Sequence, residues 1–211
     1  MKIQILVDNP NSWIIPHLKN LISSIKQKKN CHVKLFHSHE DVESGDILCL
    51  LSCEKKFKKL KLNKYNLVVH ESNLPEGKGW SPFTWQVIKG MKNIPVTLFE
   101  ANSAIDSGVI YEKMIIRTKG HELIDEMRAL QAEVTSKLIL NFIEKYPNIK
   151  GEQQKGEESF YSKRTTNSSE LDISKSIKDQ FNLLRVCDNE RYPAFFIIDD
   201  IKYFLKIQRN D

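Results

Sequence analysis

Residues 66–108 read NLVVHESNLPEGKGWSPFTWQVIKGMKNIPVTLFEANSAIDSG, and this stretch says most about the fold. Its apolar run, Leu67 to Val69, predicts a buried strand, and a loop rich in proline and glycine begins at His70. Pro82 to Gly90 has the proline start and glycine end that are typical of a short helix. The stretch therefore predicts a strand, an irregular loop and a helix in succession.

Strands and helices alternate on both sides of this unit. Strands are predicted upstream at residues 1–7, 32–36 and 46–51, with a helix at 13–26, and two edge strands are predicted downstream at 96–99 and 110–116. This order indicates an α/β fold, a Rossmann-like doubly wound and mostly parallel sheet. Ligands bind such sheets at the carboxyl ends of the strands, which draws attention to the loops at 8–13, 52–56 and 70–81.

The composition changes after a long helical pattern that covers residues 120–146. Residues 148–170 are polar and predict an extended linker. A helix over Ile173 to Leu184 and two β-like runs, Ala194 to Ile198 and Tyr203 to Ile207, are expected beyond it, with Asp199 and Asp200 at the turn. We therefore expect a catalytic domain at 1–147 and a small α+β extension at 148–211.

Composition excludes several classes of protein. The chain has 211 residues, a net charge of +5 and 40% hydrophobic residues, which are ordinary values for a globular protein. The apolar run before Asp8 is too short for a signal peptide, no run reaches the length of a membrane span, and the four cysteines suggest reduced thiols, so we expect a cytoplasmic protein. Six lysines between Lys55 and Lys64 favour a solvated face over an anion-attracting rim.

The common catalytic signatures are absent from the sequence. The first glycine is Gly45, so no GxGxxG motif follows the first strand, and neither a P-loop nor a GxSxG motif is present. His37 and His39 lack further ligands at a recognisable spacing, so no metal site is expected. The remaining candidate is His70, at the end of a buried strand, together with Asp106 between two strands of the same sheet.

These residues resemble a known family. The pattern HxSxLPxGxGxxP at residues 70–82, a helix that ends in glycine, a Val-Thr strand and the sequence Ile-Asp-Ser-Gly resemble the N10-formyltetrahydrofolate-dependent formyltransferases. SFYSKRT at 159–165, SELD at 169–172, FNLLRV at 181–186 and YPAFF at 192–196 resemble the C-terminal part of sugar formyltransferases. The resemblance implies formyl transfer from N10-formyltetrahydrofolate, in which a histidine acts as base or as oxyanion donor beside a carboxylate.

The resemblance implies that His70 and Asp106 are catalytic. Most members of the family have asparagine where this chain has Val68, and we expect Ser72, Asn73 or backbone donors to replace that amide. Folate is expected on backbone atoms of five residues: Leu67, Val69, Asn102, Ala104 and Ile105. The second substrate is expected at nine residues, with the two lysines near a diphosphate: Asn9, Asn11, Trp13, Lys55, Lys78, Trp80, Ser81, Tyr161 and Arg164.

The nature of the acceptor amine rests on resemblance alone. The compact form of the chain looks most like enzymes that formylate nucleotide-linked 4-amino-4,6-dideoxy sugars, and our first expectation is a UDP-linked 4-amino-4,6-dideoxy-N-acetylhexosamine of the pseudaminic acid branch. The alternatives are a dTDP-linked amino-dideoxyglucose, another small amine, or a non-catalytic module that binds folate or a nucleotide. Neither nucleic acid nor a membrane is expected as a partner, and the C-terminal β pair is a candidate homodimer interface.

Overall fold

The computed structural model describes residues 1–210, and its centre is a six-stranded sheet in the order β2-β1-β3-β4-β6-β7. The first four of these strands pair in parallel, β6 pairs antiparallel with β4, and β7 pairs antiparallel with β6 at the other edge. The predicted α/β fold with a mostly parallel sheet is confirmed. The strands are β1 Lys2–Leu6, β2 His32–Phe36, β3 Gly45–Leu50, β4 Asn63–His70, β5 Lys78–Gly79, β6 Asn93–Glu100, β7 Ile110–Arg117, β8 Phe160–Tyr161, β9 Ala194–Ile198 and β10 Ile201–Leu205.

Four α-helices accompany the sheet: α1 Leu18–Gln27, α2 Pro82–Ile88, α3 Ile124–Lys145 and α4 Phe181–Arg185. The start of α3 is fixed by the Glu126 carboxylate, which accepts a hydrogen bond from the Leu123 amide at 2.9 Å. The helix ends where Tyr146 precedes Pro147, as the sequence predicts. Among residues 1–210, no helix combines the length and apolar character needed to cross a membrane.

Alternation along the strands gives the sheet two different faces. Ile5, Cys49 and Leu67 belong to a large buried cluster that also takes in apolar residues of α1 and α3. Their neighbours Leu6 and Leu50 belong to a smaller cluster, against which Val68 packs. Side chains two residues apart share a face of a strand, so Val68 and His70 both lie on this second, less covered face.

The predicted helix over residues 173–184 is wrong for most of its length, because α4 begins only at Phe181. Asp172 accepts hydrogen bonds from the backbone and side chain of Ser174, and Gln180 donates to the carbonyls of Asp172 and Lys175. Such local side-chain hydrogen bonds compete with the helical pattern. The terminal hairpin is confirmed, with Asp199 and Asp200 at its turn in left-handed backbone.

Residues 148–165 have little regular secondary structure, as expected of a linker, and Thr166–Ser169 form a 3-10 helix, but the segment is docked on the sheet domain. Glu152 forms a two-way backbone bridge with Ile110, and β8 pairs in parallel with β5. We call residues 152–161 the strap. The division into domains at residue 147 stays a proposal, and the strap is one of the parts of the extension that reach the candidate site.

Candidate active site

A cleft of about 1090 Å³ opens on the second face of the sheet, beside the carboxyl ends of β3 and β4. The loop from Phe99 to Asp106 and the start of α2 form two of its walls. The chain beyond residue 159 and a short segment around Asp188 form another. His70 and Asp106 both line it, although they lie in different loops of the sheet domain.

His70 is the last residue of β4 and is buried at the base of the cleft. Its Nε2 lies 2.8 Å from the carbonyl oxygen of Gly77, and because a carbonyl only accepts hydrogen bonds, Nε2 carries a proton. The same nitrogen is 3.9 Å from Oδ2 of Asp106. The imidazole is therefore held in one orientation, and its Nδ1 is the nitrogen that can gain or lose a proton.

Asp106 sits in left-handed backbone, with a φ of 47°, and its Oδ2 accepts a hydrogen bond from the Gly79 amide at 2.9 Å. The loop around it is tightly fitted: a Cβ at Gly108 would lie 1.6 Å from the carbonyl oxygen of Glu100. Only glycine permits the two backbone segments to approach so closely. Gly108 of the Ile-Asp-Ser-Gly sequence therefore lets the loop pass close to Glu100, and this path brings Asp106 to His70.

The strap holds both catalytic loops. Gln154 donates from Nε2 to the carbonyls of Asp106 and Gly108, at 2.8 and 2.9 Å. Tyr161 packs on the loop after His70: its ring would lie 2.7 Å from a Cβ at Gly77, and its carbonyl oxygen 2.6 Å from one at Gly79. The two glycines of the Gly-Lys-Gly sequence therefore make room for the strap, a role that the sequence did not reveal.

Lys78 does not face the cleft, which corrects the expectation that it binds a diphosphate. Its side chain is 1% exposed. Its ammonium donates to the Ser107 hydroxyl at 2.8 Å and forms an ion pair with Glu158 of the strap. A lysine enclosed by these partners ties the Asp106 loop to the strap and does not line the cleft.

Ser72 and Asn73 do not line the cleft either, so neither stands in for the family's asparagine. Ser72 is buried beside Gly77, and its hydroxyl has no hydrogen-bond partner among residues 1–210. Asn73 is exposed and accepts a hydrogen bond from Lys113 on β7 at 2.7 Å. The position itself, Val68, contributes an apolar surface to the cleft. The sequence left Ser72, Asn73 and backbone donors as replacements for the missing amide, and of these the backbone donors remain.

Most of the other expected site residues do lie on the cleft. Four of the residues expected to hold folate line it, and so do seven of those expected at the second substrate: Val69, Asn102, Ala104, Ile105, Asn9, Trp13, Lys55, Trp80, Ser81, Tyr161 and Arg164. Leu67 does not, because its side chain is fully buried in the larger cluster. Asn11 is outside too, where its amide donates to Asn9 and its carbonyl accepts from Arg191.

Sequence reasoning missed Glu71, which lines the cleft directly after His70. Its backbone is fixed by Gln86, whose Nε2 donates to the Glu71 carbonyl at 2.5 Å. Its carboxylate forms no hydrogen bond to another side chain among residues 1–210, and burial raises its pKa. The loop motif offered a signal for Glu71, because this residue directly follows His70 at the end of β4 and both lie beside the cleft.

The second missed group combines Arg128 of α3 with a turn in the C-terminal part of the chain. Arg128, Asp188, Arg191 and Tyr192 line the end of the cleft that faces the Asn9 loop. Arg128 donates to Asp188 at 2.7 Å, and Asp188 accepts from the backbone amide of Arg191 at 2.9 Å. No local motif marks these residues, because only the folded chain brings the turn at 188–192 to the loop after β1.

Comparisons with known proteins bear on this geometry. No protein-family model matches the chain. A curated methionyl-tRNA formyltransferase of Thermosipho melanesiensis is 30% identical over 127 residues, which are 60% of this chain and 41% of that protein. The chain thus spans about two fifths of the length of this relative.

Solved structures share the whole fold at low sequence identity. A methionyl-tRNA formyltransferase from Clostridium thermocellum superposes with a TM-score of 0.81 and 17% identity, covering 96% of this chain and 90% of that one. A sugar N-formyltransferase from Shewanella gives 0.69 and 12%, covering 100% and 98%. HypX from Aquifex aeolicus, in complex with tetrahydrofolic acid, gives 0.71 and 16%, covering 97% and 37%. The chain therefore has the fold of these proteins.

Proposed function

We propose that the protein transfers a formyl group from N10-formyltetrahydrofolate to the amine of a nucleotide-linked 4-amino-4,6-dideoxy sugar. The observation that carries the proposal is the approach of His70 Nε2 to within 3.9 Å of Asp106 Oδ2 on the cleft. The fold shared with formyltransferases and the partial identity to a curated one support the same chemistry. A sugar amine is favoured because a sugar N-formyltransferase superposes over nearly the full length of both chains.

The cleft suits a flat folate ring. Leu50, Val68, Phe99 and Ala101 give it an apolar wall, and the loop that contains Asn102 adds backbone groups for polar ring atoms. We propose that this loop and the backbone at Val69 hold the ring. When bound, N10-formyltetrahydrofolate would supply the formyl carbon: the bond from this carbon to N10 breaks as the bond to the amine nitrogen forms, and N10 gains the proton that the amine gives up.

His70 acts, in this proposal, on the oxygen of the group being transferred. A protonated imidazole donates a hydrogen bond where negative charge develops, and a preorganised donor of this kind contributes strongly to catalysis. Asp106 lies beside the imidazole, with its Oδ2 3.9 Å from Nε2. Since Oδ2 of Asp106 is itself held by the Gly79 amide, the carboxylate stays in place as the proton moves.

Glu71 is proposed to receive the acceptor amine. An amine arrives largely as an ammonium ion, which must lose a proton before its nitrogen lone pair can attack a carbonyl carbon. Asp106 is engaged with Gly79, whereas the Glu71 carboxylate has no side-chain hydrogen-bond partner among residues 1–210, so it binds the ammonium and takes its proton. The pKa of Glu71 is raised by burial, which makes it a better base than an exposed glutamate.

The decisive experiment offers the full chain N10-formyltetrahydrofolate with a panel of amines and measures the formylated product by mass spectrometry. The panel holds a UDP-linked 4-amino-4,6-dideoxy-N-acetylhexosamine, a dTDP-linked amino-dideoxyglucose, a ribonucleotide amine and methionyl-tRNA. Transfer to either sugar supports the proposal. Transfer only to methionyl-tRNA, the acceptor in the name of the curated relative, replaces the sugar by that substrate. Folate binding without any transfer would indicate a non-catalytic module.

The C-terminal hairpin is our proposed homodimer interface. Ile201, Tyr203 and Phe204 are exposed on it, the last to 64% of its surface. Apolar side chains clustered on one exposed β pair are typical of a protein–protein contact. Light scattering of the wild type and of Phe204→Glu tests this: a dimer that becomes a monomer supports the interface, and a monomeric wild type contradicts it.

A further inference from the structure

A second cavity of about 620 Å³ lies beside the cleft, at the ends of β1 and β2. We call it the lysine annex, and it is lined by Asp8 and by residues 37–40 and 55–59. Residues 55–57 also line the cleft, so the two spaces share a wall. Four lysines of the run that the sequence assigned to a solvated face therefore surround a cavity: Lys55, Lys56, Lys58 and Lys59.

The annex carries more positive charge than its own acids neutralise. Lys59 forms an ion pair with Glu40. Asp8 offsets one further positive charge, and its two oxygens accept from the backbone amides of Glu54 and Lys55 at 2.8 Å and contact His39 at 3.1 Å. No ion pair involves Lys55 or Lys58 among residues 1–210.

Lys56 is also without a carboxylate partner, since its ammonium donates to the neutral carbonyl of Ser103 across the cleft. The four lysines thus exceed the two carboxylates of the annex, and Lys55 and Lys58 are the lysines whose side chains have neither an ion pair nor a hydrogen-bond partner among residues 1–210. The floor is not polar throughout: the rings of His39 and Phe57 contact each other with centroids 5.6 Å apart. A concave site of this charge attracts a flexible anionic chain more than an isolated apolar ligand.

We propose that the lysine annex binds the anionic extension of a ligand whose other end occupies the cleft. Residues 55–57 line both spaces, so a ligand in the cleft needs to extend only past these residues to reach the annex. The inference rests on the proposed function for the identity of that ligand. Both proposed substrates carry such an extension: a folate carries glutamate carboxylates, and a nucleotide-linked sugar carries a diphosphate.

The test measures binding by calorimetry at low salt with the full chain. One arm compares 5-formyltetrahydrofolate bearing one glutamate with its triglutamate form, and a second compares UDP with uridine. The variant Lys55→Ala/Lys58→Ala is set against Lys29→Ala/Lys61→Ala, which removes the same charge at exposed lysines outside both cavities.

We expect one arm to show an advantage of the more anionic ligand of about tenfold, which falls to about twofold in the Lys55→Ala/Lys58→Ala variant alone. Loss of the triglutamate advantage identifies the folate tail, and loss of the UDP advantage identifies the diphosphate. Equal affinities in the two double variants, in both arms, would overturn the proposal.

Inorganic tripolyphosphate, as a third ligand, separates this proposal from the proposed function. If neither folate nor nucleotide binds, the proposed function fails. The annex is then still an anion site if tripolyphosphate binds the wild type and the control variant but not Lys55→Ala/Lys58→Ala. Tripolyphosphate affinity that is the same in all three proteins would count against the annex itself.

Discussion

His70 is held by groups from two different loops, and its replacement tests the proposed chemistry most directly. In His70→Ala we expect kcat for formyl transfer to fall by about 10²–10³, the usual cost of losing a preorganised oxyanion donor. Folate affinity, measured by fluorescence, should stay within about twofold, because the ring is proposed to bind backbone groups instead. His121→Ala is the matched control, since His121 is exposed and lies outside the cleft. Full activity in His70→Ala would refute the mechanism.

Replacement of Glu71 gives a separate prediction, because the proposed partner of this residue is the amine and not the formyl donor. Glu71→Gln keeps the size of the side chain and removes the base, so kcat/KM for the amine should fall by about 10²-fold while the KM for the folate is unchanged. The loss should be smaller at high pH, where more of the amine is already neutral. Glu76→Gln, on the exposed side of the same loop, should behave as wild type. An equal loss for both substrates would point to a structural role.

Among the elements, the strap makes the most specific prediction. Gln154→Ala removes two hydrogen bonds that hold the carbonyls of Asp106 and Gly108. Each is worth about 1 kcal/mol, so we expect the midpoint of thermal unfolding to drop by a few degrees and kcat to fall about tenfold. The neighbouring Gln153 is exposed and forms none of these bonds, which makes Gln153→Ala the control. A variant that loses stability but keeps its kcat would show that the strap does not position Asp106.

The sequence predicts the central sheet but not the docking of the strap. The six strands of the central sheet, His70 at the end of β4 and the loop of Asp106 follow from periodicity and from the positions of proline and glycine. The docking of residues 152–161 could not be predicted, because a polar segment pairs through its backbone and leaves no apolar pattern. For the same reason the sequence predicts that Lys78 binds a ligand, although in the structure Lys78 pairs with Glu158, 80 residues later in the chain. Long-range polar contacts decide which candidate side chains reach the cleft.

On the scale of the whole molecule, the site is assembled from distant parts of the chain. His70 comes from β4, Asp106 from the loop between β6 and β7, and Gln154 from the strap, 48 residues beyond Asp106. The lysines after β3 and the turn at 188–192 add two further walls. Because each wall depends on the others for its position, loss of the C-terminal contacts is expected to affect the catalytic loops before the sheet itself unfolds.

The dependence of stability on pH also belongs to the molecule as a whole, because several carboxylates contribute to it. Hydrogen bonds from Lys64, the Lys2 amide and Tyr146 lower the pKa of Asp46 from 3.8 to about 2. At Asp188, burial acts to raise the pKa, but hydrogen bonds from the Arg191 amide and Arg128 outweigh it. A carboxyl whose pKa is lower in the folded state stabilises the protein above its unfolded pKa, and that stability is lost as the pH falls through the folded pKa.

Glu100 acts in the opposite direction, because burial raises its pKa. The folded state therefore loses stability as the pH rises from the unfolded pKa of this carboxyl to its folded pKa. We expect the free energy of unfolding, measured with urea, to fall between about pH 4 and about pH 2, where the lowered carboxyls protonate. Asp46→Asn should make that acid limb shallower, because an amide has no proton to gain. Asp200→Asn, at the exposed hairpin turn, should leave it as steep as in the wild type. If both variants have the wild-type slope, the hydrogen bonds to Asp46 do not hold its charge in the folded state.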